Sequence, residues 1–597
     1  MTQRIDTTRP ARRGLTWALV ALALVLSLGL AYGAYALAGY SWDQVVSYES
    51  PYTVMSGADF SGVRPSLSSP IPGAEPRRVV VVLIDGLRDD ASRTMASIED
   101  LRSRGADVRL TVPQPTLSYP TWTTIMTGAP QQISGVTTNW FEGPVKVETL
   151  LEVAVGSGRR VIVAGPDGLD EMFSASDVAD ASTMVEWEYG TYMSGRIVDA
   201  ALAHDAEKPG DFIFVLLPDV DNVGHESGGA SAEYAEVVAQ IDDDLARLIA
   251  GLDDGATTFF VLPDHGHIDT GGHGGWEEPV ARTFLAAAGP GIRETTAEAH
   301  LMDVAPTVAV VAGMQAPMQA LGTAIDEVLA DGNGSSRDAE FVRAAGLTLS
   351  YVRKVSGESA LKDMTSISSP DALPEIRADA DAARLADERA GRLWWLLGAI
   401  AFLLGLVVVV GALSWRALAA AVSGTAVFAV LYNALFFGLH GYRWSLSAFN
   451  DEAMIDAFFY GRMAEAAVSA LVGCVVAALV YAALRGRDLK GPQHGYTAGW
   501  LALGSATVLL IQAVLLVQVA VFLWRWSPSV AWILPDMREA FKYDLDLIQM
   551  TAIGAAAVLG PAVTYLVGRI KSRGVAVPAA AHSLPGVDAD PPVVPAP

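Results

Sequence analysis

Three short apolar runs rich in β-branched residues each stop at an acid: Val79 to Ile84 before Asp85, Phe212 to Leu217 before Pro218-Asp219-Val220-Asp221, and Thr258 to Leu262 before Pro263-Asp264. Continuous apolar runs of this length, bounded by turn residues, predict strands buried on both faces and therefore a largely parallel sheet. Ligands of such sheets sit beyond the carboxyl ends of the strands, so the acids are expected on one rim. Histidines follow two of these ends, in Asp221-Asn222-Val223-Gly224-His225 and in Asp264-His265-Gly266-His267, with His273 close behind. Carboxylates and imidazoles gathered on one rim are metal-binding chemistry.

The longer apolar runs tell a different story. Leu15 to Leu37 is long enough to span a bilayer and follows Arg4, Arg9, Arg12 and Arg13, which reads as an uncleaved anchor with a cytoplasmic basic segment over 1–14. Small-residue steps at Ala34-Tyr35-Ala36 and Ala36-Leu37-Ala38 leave a cleaved leader as the alternative. Further runs at about 393–414, 417–439, 464–484, 498–523 and 547–568 are each near the length of about 20 residues that a span requires. Arg416, then Arg485, Arg487 and Lys490, then Arg569, Lys571 and Arg573 fall between or after them. All lie on the cytoplasmic side if the amino terminus does.

The expected organisation is an anchor over 15–38, an exported domain over 40–334, a linker and connecting helix over 335–392, a five-helix membrane domain over 393–568, and a disordered cytoplasmic tail over 569–597. Both termini are then cytoplasmic, in a multi-pass protein of the cell membrane whose larger domain is extracellular or periplasmic. The outward loops 440–463 and 524–546 carry Tyr442, Trp444, Phe458, Phe459, Trp524, Trp526 and Trp532. They predict an interfacial aromatic belt or, alternatively, a shelf presenting lipid to the exported domain. A net charge of −25 argues against a nucleic-acid polymer as partner, and the single cysteine, Cys474, excludes an intramolecular disulfide framework.

Between the first two acidic ends lies Pro115-Thr116-Leu117-Ser118-Tyr119-Pro120-Thr121-Trp122, running on through a Thr-rich stretch to Gly128. A hydroxyl followed by x-Pro and a helical turn suits a nucleophile at a helix amino terminus, where free N–H groups stabilise an anion. Ser118 fits this position, with Thr116 as its rival. Asp219 is the rival of Asp221 in the same way, and Asp167 after Val161 to Ala164 reads as the cap of the next helix.

Asp85, Ser118, Asp221 with His225, Asp264-His265 and His273 stand in the order and contexts of the alkaline phosphatase superfamily, and the segment from about 76 to 330 resembles its branch of type I phosphodiesterases and nucleotide pyrophosphatases. It also resembles the catalytic domains of ethanolamine-phosphate transferases. The resemblance implies an α/β fold with a central, mostly parallel sheet flanked by helices, and two divalent ions, usually zinc. Asp221, His225 and His273 would hold one ion; Asp85, Asp264 and His265 would hold the other, with Ser118 beside it as nucleophile. Thr121, Asn139 and Trp140 would contact substrate, ordinary loop packing being the alternative for the last two. His267 is expected behind the ligands or at the surface.

Two divalent ions against three carboxylates and an alkoxide leave a formally neutral site, suited to the single charge of a phosphodiester or pyrophosphate of a lipid or nucleotide. No arginine lies in the nucleophile motif, although Arg88 could reach in, and Trp122 stands where the pattern of sulfatases has arginine. The expected reaction is hydrolysis through a Ser118 phospho-enzyme. Transfer of a phospho-head group onto a lipid or glycan, phosphomonoester hydrolysis, and a non-enzymatic metal-bound sensing or assembly module are the alternatives.

Overall fold

The structure, a computed structural model, describes residues 8–55, 71–188, 190–357, 367, 369–449, 454–486 and 496–573. Eight strands, β1 (Arg78–Ile84), β2 (Ala106–Thr111), β3 (Val161–Pro166), β4 (Ala181–Val185), β5 (Phe212–Leu217), β6 (Thr257–Leu262), β7 (Arg282–Ala288) and β8 (Thr295–His300), form one sheet in the order β4-β3-β5-β1-β6-β7-β2-β8. Only β7 is reversed. The three strands that end in acids are therefore neighbours at the centre of the sheet. Their register aligns Ile84 with Leu217 and Leu83 with Leu262, so the three runs finish within a residue of one another.

Alternation along each strand feeds two cores. Val79, Val81 and Leu83 join one apolar layer with Phe214, Phe260 and the helix Val304–Ala312; Val80, Val82 and Ile84 face the other, with Ile213, Phe259 and the helix Ala232–Leu252. Helices cover both faces, which is why these strands read as unbroken apolar runs.

Beyond the sheet, residues polar enough to read as a linker are helical over Gly334–Ser356. The helix hides Leu347, Tyr351, Val352 and Val355 on one face, against Tyr52, Met55, Leu385 and Trp532. Spacing of three and four residues within a polar composition is an amphipathic stripe, and it outweighs the average polarity. Residues 358–366 lie outside the described segments. The next helix, Ala372–Leu413, runs unbroken into the second apolar span.

Among the described residues six helices are long and apolar enough to cross a membrane: Gly14–Val46, Ala372–Leu413, Trp415–Leu439, Ile455–Arg485, Thr497–Trp526 and Met537–Lys571. Arg4, Arg487, Lys490 and the tail after Arg573 lie outside the described residues.

The aromatic residues expected in the outward loops pack on one another and on the helices. Phe458 is buried with Phe436 and Phe541, and Tyr442, Trp444, Phe449 and Phe459 pack on that cluster. The indole N–H groups of Trp524, Trp526 and Trp532 donate to the Arg389 carbonyl, Glu539 and Glu388. Trp524 and Trp526 stand at the end of the helix Thr497–Trp526, so these bonds join neighbouring helices, and Trp532 joins its loop to the helix Ala372–Leu413.

Candidate active site

Asp85 and Asp264 leave the ends of β1 and β6 side by side. Gly86, at φ +70°, turns the chain away, and a Cβ there would lie 2.7 Å from the Asp221 Cα; only glycine allows this approach. Asp264 accepts from the N–H groups of Gly86 at 3.1 Å and His265 at 2.8 Å through one oxygen. Its other oxygen lies 3.2 Å from His265 Nε2, which is 3.5 Å from Asp85 and 3.3 Å from the Ser118 hydroxyl. Ser118 is the first residue of the helix Ser118–Thr127, as its x-Pro context predicts.

Asp221 lies on the first turns of the helix Asp219–Ser227, where the four-residue step brings His225 to the same face, its Nε2 at 3.4 Å. His273 arrives from the loop after β6. Its Nδ1 lies 2.9 Å from the Thr116 carbonyl, a distance that an N–H donor satisfies, which leaves Nε2 with a lone pair facing Asp221 at 3.8 Å and His225 Nε2 at 3.1 Å.

The electrostatics fit a cation. Asp85 is wholly buried and neither of its oxygens meets a donor in good hydrogen-bond geometry; burial and the nearby Asp264 and Asp221 push its pKa well above the carboxylate range. Burial likewise raises Asp264, with His265 opposing it. At Asp221 burial works upward, but His225 and His267 outweigh it and hold the group well below its usual value. Burial and His265 drive His273 far down, so its imidazole is neutral, the state in which it can ligate. A buried carboxylate without a well-aligned donor, beside two more carboxylates and imidazole lone pairs that face each other, is costly alone and is relieved by a positive ion.

Three sets of side chains each gather ligand atoms within 4.8 Å: Asp85, Asp264 and His265; Asp221, His265 and His273; and Asp221, His225 and His267. The first coincides with an expected set. The other two share out the second expected set and bring in His265 and His267.

His267 is not at the surface. It is fully buried with Nε2 2.8 Å from Asp221, and burial lowers it to about 4 despite that carboxylate. The rivals are otherwise engaged. Thr116 is buried and donates to the Gly275 carbonyl at 2.9 Å. Asp219 accepts from the Met193 and Ser194 N–H groups at 3.0 and 2.7 Å and from the Ser194 hydroxyl, which secures the start of the helix Ser194–Glu207. Arg88 is held by Asp90 and Asp269, both at 2.7 Å, and does not enter the site.

Of the expected substrate contacts one needs correction and another is engaged by a neighbouring ring. Thr121 is fully buried, with its hydroxyl 2.7 Å from the Leu117 carbonyl and 3.1 Å from Asp264, so it steadies an acid rather than touching substrate. Trp140 packs edge-on against Trp42 of the first apolar helix at 5.1 Å. Asn139 does line the cavity beside Ser118, and its carbonyl accepts the Tyr119 N–H at 3.0 Å.

That cavity, of about 740 Å³, is lined by Ser118, Asp221, His225 and His273 on one side and by Tyr119, Asp167, Glu171 and Trp187 on another. Asp167 stands at the cap position of its helix but makes no side-chain cap bond; it faces the cavity instead. Phe449, from the membrane half of the chain, also lines it. Neither Asp167 as a wall residue nor Phe449 carries a local sequence signal, because each is placed by tertiary packing.

Residues 79–316 match the family described as type I phosphodiesterase / nucleotide pyrophosphatase. Curated relatives include GPI ethanolamine phosphate transferase 1 of Mus musculus, 24% identical over 265 residues, covering 39% of this chain and 28% of that protein. The Homo sapiens protein of the same name is 25% identical with the same coverage, and that of Schizosaccharomyces pombe is 28% identical over 210 residues, 31% of this chain and 22% of that one. The chain thus spans less than a third of the length of these relatives. Among solved structures, murine ectonucleotide pyrophosphatase / phosphodiesterase 5 is similar at 14% identity and TM-score 0.34, covering 40% of this chain and 96% of its own. Alkaline phosphatase PafA is similar at 14% identity and TM-score 0.36, covering 43% and 100%. Residues 79–316, which contain Asp85, Ser118, Asp221, His225, Asp264, His265 and His273 in order, thus match the type I phosphodiesterase / nucleotide pyrophosphatase family, in a chain whose described residues include six helices long and apolar enough to cross a membrane.

Proposed function

We propose that this protein is a metal-dependent phosphotransferase that moves a phospho-head group from a membrane lipid onto an acceptor hydroxyl, with Ser118 as nucleophile. The observation that carries the reading is Phe449. A residue of the membrane half closes the same cavity that Ser118, Asp221, His225 and His273 line, which suits a substrate delivered from the bilayer. The names of the curated relatives, ethanolamine phosphate transferases, point the same way.

In this reading Asp85, Asp264 and His265 hold one divalent ion and Asp221, His225 and His273 the other, with His267 setting Asp221. When bound, the ions supply Lewis-acid stabilisation of the Ser118 alkoxide and of charge developing on the phosphoryl oxygens. The Ser118 oxygen attacks phosphorus, the bond from phosphorus to the diacylglycerol oxygen breaks, and that oxygen takes up a proton. An acceptor hydroxyl then gives up its proton, attacks the phosphoserine and restores Ser118. Water in place of the acceptor makes the same site a phosphodiesterase. No lysine or arginine is among the described residues lining the cavity, which favours a diester over a dianionic monoester. Asp167 and Glu171, with the rings of Tyr119 and Trp187, offer the retained group an anionic and aromatic wall, matched to an ammonium. With the amino terminus cytoplasmic, the catalytic domain lies on the outer face.

Full-length protein in nanodiscs containing labelled phosphatidylethanolamine, supplied with zinc and an acceptor alcohol, tests this. The expected products are diacylglycerol and a phosphoethanolamine adduct, both lost in Ser118→Ala while bound metal is retained. Free phosphoethanolamine without adduct would make the protein a hydrolase, and full activity in Ser118→Ala would sink the mechanism.

A further inference from the structure

The loop that carries His273 continues into a contact with the membrane half. The Gly275 N–H donates to the Ser447 hydroxyl at 3.1 Å, and Ser445 and Ser447 both donate to one Glu277 oxygen, at 2.9 and 3.0 Å. The Trp276 indole donates to the Trp444 carbonyl at 2.9 Å. Arg538 lies over the Trp276 ring at 4.8 Å and over Trp444 at 5.9 Å, and Lys542 over Trp444 at 5.4 Å. Ser445 and Ser447 are buried, and no side chain would fit at Gly275, where a Cβ would fall 1.8 Å from the Ser445 hydroxyl. Two residues past Ser447, Phe449 enters the cavity wall.

The grip reaches His273 in one further step. Thr116 donates its hydroxyl to the Gly275 carbonyl and its N–H to the Gly274 carbonyl, and its own carbonyl takes the His273 Nδ1 at 2.9 Å. Ser118 follows two residues later.

We infer that the segment Trp444–Phe449 is a positioning element of the catalytic centre: by clamping Gly275 and Glu277 it holds His273 toward Asp221 and His225, so the metal site reaches full affinity only with the membrane half docked. The inference rests on the reading of these residues as a metal site. Ser445, Ser447 and Glu277 act through His273 and touch no reacting atom. Groups that orient a metal ligand are worth about 10- to 100-fold in affinity or activity.

The test is zinc titration of metal-stripped, full-length protein in detergent against a chromophoric chelator, with kcat and KM on bis-p-nitrophenyl phosphate measured in parallel. Ser445→Ala combined with Ser447→Ala, and separately Glu277→Ala, should weaken one of two zinc-binding events about tenfold and lower kcat more than they raise KM. Glu277→Gln, whose amide oxygen still accepts from both serines, should stay near the parent chain; this rescue separates the hydrogen-bonded clamp from a general loss of folding. Unchanged zinc affinity and kcat in the double serine variant and Glu277→Ala would overturn the inference, as would Glu277→Gln failing as badly as Glu277→Ala. A parent chain that takes up no zinc would instead remove the metal-site reading itself, and the clamp with it.

Discussion

At the sheet rim, Asp85, Asp221 and Asp264 meet because β5, β1 and β6 are neighbours in register, each a buried apolar run that stops where the chain must turn. At the seam between the two halves, Gly275, Trp276 and Glu277 meet Trp444, Ser445 and Ser447, partners 168 to 172 positions away, through a handful of hydrogen bonds, with Arg538 over the rings of Trp276 and Trp444. The rim is held by two apolar layers, the seam by polar and aromatic contacts between short loops. Burial of apolar surface is large and forgiving of detail, whereas each seam contact is worth little and depends on geometry. The chemistry is anchored to the robust region, and its fine adjustment to the delicate one.

Breaking the rim should have the largest effect. Asp221→Ala is expected to lower activity more than about 100-fold with loss of bound zinc, whereas Asp219→Asn should lower the thermal midpoint and keep the metal stoichiometry; equal metal loss in both would dissolve the distinction between ligand and cap. Next comes the layer beneath. Leu83→Ala, at a fully buried position, should cost about 2–5 kcal/mol, visible as early unfolding of the catalytic half in a thermal scan that leaves the helical membrane transition in place.

A smaller effect concerns Glu148, raised from 4.5 to about 7 mainly by burial. The folded chain then holds a proton that the unfolded chain releases, so its contribution is fully present below about pH 4.5 and is lost as pH rises toward 7. Glu148→Gln should flatten the stability profile across that window by about 1–2 kcal/mol, after allowance for its partial exposure; an unchanged slope would exclude it. The smallest change is expected at the first helix. Trp140→Ala should cost about 0.5–1.5 kcal/mol by removing the edge contact with Trp42, and should leave zinc binding alone; a metal defect there would show that the seam extends along the first apolar helix.

Much of the rim was legible from residue order, because strand periodicity and the acid at each strand end are local signals. The four-residue step from Asp221 to His225 carried its own geometry. For His267 the residue order left two places open, behind the ligands or at the surface: one position past a glycine and beside the ligand motif, its depth depends on the helix Asp219–Ser227, which passes so close that a Cβ on Gly224 would lie 2.5 Å from its ring. Thr121 misled for the reverse reason, since proximity in sequence to a nucleophile does not say which way a side chain turns on a helix. The helix Gly334–Ser356 was masked by polar residues on its outer face. Phe449 and the serine clamp had no signature at all, because serine and phenylalanine in a membrane loop look the same whether they meet lipid, water or another domain.

Gly86 has a consequence for the dimensions of the centre. Because no carbon projects there, the backbone at the end of β1 comes to rest directly against the backbone of Asp221, and the separation between the two acids is set by main-chain contact rather than by side-chain rotation. Main-chain contact is the least adjustable length in a folded protein. The gap across which a phosphoryl group would be shared is thus gauged by a missing methyl group, and a single alanine at that position would act as a wedge driven between the two halves of the reaction.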